Sequence, residues 1–140
     1  MVGIRHVAVI VAAVVFFVLG AGWYTLLSAQ WLAGIGKTMA DVERDTGGGA
    51  MSYIVGFIAL LVMCYALAWL ISRLGKRTTM EGAATGISVG SGFIAAMLAL
   101  NYAFEGRDVS LWLINAGYAV AGLAIAGAII GRFASAPPPR

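Results

Sequence analysis

The sequence predicts an all-α protein: a four-transmembrane-helix bundle built from two antiparallel helical hairpins, with a short interfacial amphipathic helix after the first span. Three observations carry that expectation. The 140 residues are 61% hydrophobic and only 11% charged, whereas soluble domains carry roughly 25% charged residues. Four segments are free of charge, Val7 to Ser28, Ala50 to Ser72, Gly82 to Phe104 and Val109 to Gly131. At about 1.5 Å of rise per residue each can cross a hydrocarbon core of about 30 Å. The segments between them are short, so residues 1–140 read as a single integral membrane domain, with 132–140 a flexible tail ending in Pro137, Pro138, Pro139 and Arg140.

Arg5 and His6 before the first apolar run have the look of a cleavable leader. The run exceeds the usual leader core of about 7 to 15 residues, and Leu27 stands where a small residue is wanted before a cut after Ala29. We therefore read a span. It leaves the bilayer through Trp23 and Tyr24, amphipathic rings that favour the headgroup level. Beyond them, QWLAGIGKTMADVERD places Trp31, Ile35, Met39 and Val42 at helical spacing, which predicts the short amphipathic helix. Such a helix is a surface connector or a lid. Thr46, Gly47, Gly48 and Gly49 end it. No Lys follows the glycines, so they form a turn and not a phosphate cradle.

The second span contains the only cysteine, Cys64, read as a small buried hydrophobe. It ends at Trp69 and the basic turn SRLGKR. Thr78 and Glu81 then have the spacing of a capping box, which starts the third helix. Gly82, Gly86 and Gly90, with Ser88 and Gly92 beside them, make two ridges of small residues on that helix. The fourth span repeats the device with Gly127, Gly131, Ala124 and Ala128. In lipid, small ridges let backbones approach closely, and packing replaces the missing hydrophobic drive. These ridges exceed what one hairpin contact would use, which points to a homo-oligomer or to association with another membrane protein.

Basic residues set the orientation. Six, Arg5, Arg73, Lys76, Arg77, Arg132 and Arg140, fall at the termini and the second loop, and three, Lys37, Arg44 and Arg107, in the first and third loops. Under the positive-inside rule both termini are cytoplasmic, in an inner or plasma membrane. The net charge of +3 is thus a topology signal, not a nucleic-acid footprint.

The third loop carries the most informative stretch, NYAFEGRDVSLWLINAGY. Gly106 suits a helix C-terminus and Asp108 an N-cap, so the turn is tight and its flanking spans are neighbours. Around such a turn Asn101 opposes Trp112, and Asn115 lies roughly 4 to 5 Å deeper. The two amides are expected to meet or to share a water. Tyr118 lies on the face of Asn115, with Leu111 and Gly122 completing the stripe. Interhelical hydrogen bonds of this kind contribute about 0.6 kcal/mol on average and up to about 2 kcal/mol, so structural glue is one sufficient reading. The other is a ligand site for an amphipathic small molecule or lipid beside Asn101, Glu105, Arg107, Trp112, Asn115 and Tyr118, roofed by Trp23, Tyr24 and Trp31.

The run NYAFEGRDVSLWLINAGY, the GWYTLL and QWL elements after the first span and the closing GAIIG together resemble domain-of-unknown-function family 1761, small bacterial membrane proteins. The resemblance covers nearly the whole chain and implies four membrane helices with no established activity. A weaker internal echo, Tyr24 before Trp31 and Leu32 and Tyr102 before Trp112 and Leu113, has unequal spacing and is thin support for a repeat of the two hairpins.

Catalytic constellations are not readable here. His6 is the only histidine and Cys64 the only cysteine, so the chain has no Cys/His metal cluster, and haem ligation by His6 would need a second copy. A carboxylate site would have to recruit Glu105 and Asp108 with Asp41, Glu43 or Asp45 from a loop. No ionisable side chain lies within a span, whereas proton-coupled pumps and small multidrug exporters place a carboxylate there. No catalytic residue, metal or cofactor is assigned. The sequence leaves two functional classes, a non-enzymatic structural or accessory subunit and a binding or transport protein using the polar cluster.

Overall fold

The computed structural model describes residues 4–76 and 78–134. Among them the chain is all-helical: α1 (His6–Leu26), α2 (Ser28–Ile35), α3 (Met39–Asp45), α4 (Ala50–Arg73), α5 (Thr79–Glu105) and α6 (Val109–Arg132). Four of these, α1, α4, α5 and α6, are long and apolar enough to cross a membrane. Their limits lie within three residues of the charge-free runs, because charge is what bounds an apolar helix on the sequence. Arg77 and the Pro-rich tail from 135 onward lie outside the described residues.

The segment after α1 differs from expectation. It is two helices, so Trp31, Ile35, Met39 and Val42 do not share one continuous stripe. Gly36 closes α2 in the left-handed region at φ +68°. Thr38 then opens α3, its side chain accepting from the Asp41 N–H while the Asp41 carboxylate accepts from the Thr38 N–H. The Thr38 hydroxyl, the Thr38 backbone and Arg44 all donate to Asp41, which holds its carboxyl below the usual range. After Thr46 the chain turns through Gly47, Gly48 and Gly49, all at positive φ, a run that residues with a Cβ rarely adopt.

The remaining caps follow the sequence. Thr78 accepts from the Glu81 N–H at 3.1 Å and begins α5. Gly106 ends it in the left-handed region, and Asp108 begins α6 by accepting from the Ser110 N–H at 2.7 Å. The Ser110 N–H bond keeps the Asp108 carboxyl below its ordinary value.

Within α5, residues Gly90–Ala95 are π-helical. A π turn holds one residue more than an α turn, so every position beyond it is rotated relative to a regular helix. That rotation matters at the candidate site.

The most buried helix is α6. One side of it lies against α5: a methyl group added at Gly82 would strike the Gly127 backbone, at Gly86 the Leu123 carbonyl, and at Gly90 the Val120 Cα. Partners descend along α6 as α5 ascends, so the two run in opposite directions with their backbones in contact. Another side of α6 takes up aromatic rings. Phe16 of α1 sits on Gly122, Trp23 on Gly117, and Tyr118 returns the contact by seating on Gly20. Between α1 and α4, Phe17 lies edge-on to Tyr53 and Phe57, and His6 meets the Tyr65 hydroxyl at 3.1 Å. The core proper joins Val9, Ala13 and Phe16 of α1 to Cys64 and Leu67 of α4 and to Leu123 and Ala126 of α6. The only α5 residues at this core are the partly buried Val89 and Ile94.

Candidate functional site

The aromatic and polar residues singled out from the sequence gather at the end of the bundle that carries α2, α3 and the α5–α6 turn. Its centre is Asn115, projecting from the second turn of α6. Its side-chain carbonyl accepts from the Tyr24 hydroxyl of α1 at 2.8 Å, and its amide N–H donates to the Tyr102 hydroxyl of α5 at 2.8 Å. One amide therefore ties three spanning helices together.

Around it, other rings turn their polar ends onto backbone carbonyls. Trp23 donates through its indole N–H to the Ile114 carbonyl at 3.0 Å, and Tyr118 through its hydroxyl to the Phe16 carbonyl at 3.2 Å. The Trp112 indole donates to the carbonyl of Ala95, the last residue of the π segment, at 2.9 Å. Tyr24 lies edge-on to both Trp31 and Tyr118, with ring centroids 5.8 and 5.2 Å apart. Gly34 of α2 presses on Leu111, so α2 caps the cluster from the side. Among the described residues no buried side-chain nitrogen or oxygen lacks a hydrogen-bond partner.

Asn101 is not part of this network. It is exposed, and Tyr102 takes the place foreseen for it beside Asn115. The π segment is the cause. Continuing the Gly82, Gly86, Gly90 face at ordinary helical spacing leads to 94 and 101, whereas one inserted residue moves that face to 95 and 102, the positions that bond Trp112 and Asn115. Of the other residues picked out, Trp23, Tyr24, Trp31, Trp112, Asn115 and Tyr118 do come together. Glu105 and Arg107 stay at the exposed mouth, paired with each other, with the Arg107 guanidinium 5.4 Å from the centre of the Tyr102 ring. The hydrogen bond that Arg107 donates to the Glu105 carboxylate raises the Arg107 pKa above its usual value. Sequence reasoning missed Tyr102 as a partner of Asn115, and missed Gly20 and Gly117 as seats for rings. A ring three or four residues from a small one on a facing helix was the available signal.

A family model described as protein of unknown function (DUF1761) matches residues 7–131. The chain belongs to this family. The match takes in the four spans and the whole of the cluster. Neither a curated protein nor a solved structure matches the chain. For this DUF1761 member, the chemistry on view is hydrogen bonding between aromatic rings, one amide and backbone carbonyls. Among the described residues no three His, Cys, Asp or Glu side chains gather closely enough to hold a metal ion.

Proposed function

We propose that this DUF1761 chain is a non-enzymatic structural subunit of the bacterial inner membrane, with cytoplasmic termini, that self-associates through α1. The observation that carries the reading is an exposed seam on that helix. Val7, Val11, Val14 and Val18 recur at alternating steps of four and three residues, all on the outside of the bundle, and the pattern continues through exposed Ala21 and Thr25. A repeat averaging 3.5 residues is the one that keeps two helices in contact along their length. Valine also loses little side-chain freedom when it packs, because its χ1 is already restricted.

The glycine ridges do not serve this purpose. Gly82, Gly86, Gly90, Gly127 and Gly131 are all used between α5 and α6 of one chain. The aromatic cluster is likewise read as a latch and not as a ligand site, since a ligand would first have to break the Tyr24–Asn115–Tyr102 chain of hydrogen bonds.

A two-fold partner would bring the same seam positions together. With Cys64 replaced by Ala, Val14→Cys should form a disulfide-linked dimer on oxidation in membranes, while Ile58→Cys on the exposed face of α4 should not. Cross-linking equally strong at Ile58, or a monomer in native mass spectra from lipid nanodiscs, would contradict self-association through α1.

A further inference from the structure

A trough runs between α4 and α5 and reaches Leu123 of α6 at its inner end. It comprises two open cavities of about 340 and 330 Å³ that share Leu70, Val89 and Phe93. The first opens between Lys76 and Glu81 and has Leu70 and Leu74 on one wall and Ala84 and Ser88 on the other. The second continues to Met63 and Ile94. From Lys76 to Met63 the trough spans roughly 20 Å of helix, enough for most of a fatty acyl chain.

Three features say what fits there. First, the trough reaches headgroup level: Trp69, which lines the second cavity, is half exposed, as interfacial tryptophans are, and Arg73 lies over its ring at 5.4 Å. Second, cations outnumber carboxylates where the trough opens: Lys76 and Glu81 line the opening, 3.5 Å apart and each some 40% exposed, and the exposed Arg73 lies three residues before Lys76. Third, the walls offer a partner helix no hydroxyl donor. Ser88 donates to the Ala84 carbonyl at 2.9 Å and Thr85 to the Glu81 carbonyl at 2.8 Å, so each is bonded within its own helix and the lining presents hydrocarbon.

We infer that the α4–α5 trough is a binding site for an anionic phospholipid, with one acyl chain lying along Leu70, Ser88 and Phe93 and the phosphate at Arg73 and Lys76. The site is independent of self-association, which uses α1 on another side of the bundle. Arg73 and Lys76 can donate charge-assisted hydrogen bonds to the phosphate of any phospholipid, and the choline cation of a zwitterionic headgroup is repelled by the same two side chains, so a net anionic headgroup is favoured; the trough distinguishes a seated lipid from the bulk annulus.

The test is native mass spectrometry of the full chain released from nanodiscs holding equal amounts of phosphatidylglycerol and phosphatidylcholine. Retained adducts should be mainly phosphatidylglycerol. Arg73→Gln and Lys76→Gln should each lower that preference by about fivefold. Ser88→Leu and, independently, Ala84→Leu should fill the trough and abolish retention of either lipid while melting at or above the wild-type temperature. Equal retention of the two lipids by the wild type would overturn the anionic site. Undiminished retention in both filled-trough variants would overturn its location.

Discussion

The two sides of α5 look alike in sequence and behave oppositely in the structure. Gly82, Gly86 and Gly90 form one ridge at four-residue spacing; Ala84, Ser88 and Gly92 form another, turned away from it. The first meets Gly127, Gly131 and the Leu123 carbonyl and closes to backbone contact. Ala84 and Ser88 of the second face Leu70 and Leu74 across an open trough, and a methyl group added at exposed Gly92 would touch nothing within 4 Å. A ridge of small residues permits close approach but does not compel it. What decides is whether the opposing helix is equally small, because only then can dispersion contacts form along both backbones.

The strongest way to break this comparison is to enlarge one residue on each side. Gly86→Leu has no room, since even its Cβ would enter the Leu123 carbonyl. It should cost at least the 1–3 kcal/mol typical of overpacking and lower the melting temperature in detergent further than a substitution in the aromatic latch or at a helix cap. Ala84→Leu, two residues away, should leave melting unchanged or raise it. Similar losses at the two positions would mean that the trough is closed in the membrane.

Next in size is the latch at the end of the sealed side. Asn115→Leu removes the amide that bridges Tyr24 and Tyr102 and should cost about 1 kcal/mol in thermal or denaturant melts. Tyr102→Phe added to it should cost less than the sum of the two single changes, because both act on one network. Asn101→Leu should change little. An additive Tyr102 pair, or a loss at Asn101 matching that at Asn115, would restore the regular-helix face of α5 and remove the role given to the π segment.

The smallest expected effect is on pH. Asp108 accepts from the Ser110 N–H, and its carboxyl is held below the ordinary value. A depressed folded-state pKa contributes stability above the unfolded carboxylate value, and that stability is lost as pH falls through the lowered one. Melting should therefore decline slightly on acidification. Asp108→Asn, which keeps an N-cap acceptor but not the charge, should flatten that decline and melt slightly below the wild type at neutral pH. An unchanged acid profile in Asp108→Asn would assign the decline to another carboxylate, with Asp41 next in line.

Much of the architecture was legible because the bilayer imposes simple rules. Charge-free runs set the spans, Thr78 and Asp108 announced helix starts, and Gly106 announced an end, all through local chemistry that needs no partner. The ring-and-amide cluster was legible in part: Trp23, Tyr24, Trp31, Trp112, Asn115 and Tyr118 come together as aromatic and polar residues at the ends of apolar runs, while Asn101, Glu105 and Arg107 stay outside and Tyr102 joins. Its wiring was not. Asn101 and Tyr102 differ by about 100° around a helix, and a single inserted residue in Gly90–Ala95 decides between them. The fate of the glycine ridges was equally illegible, because helical spacing shows that a face is small without showing which face the neighbour is small enough to meet.

The most direct measurement is the lipid exposure of the α5 ridge that faces α4. With Cys64 replaced by Ala, nitroxide labels at Ser88, at Ile87 on the exposed side of α5 and at fully buried Ala126 can be compared for collision with dissolved oxygen in a bilayer by electron paramagnetic resonance. An open trough predicts that Ser88 is as accessible as Ile87. A Ser88 label as sheltered as the one at Ala126 would show α4 closed over α5 and contradict an open trough.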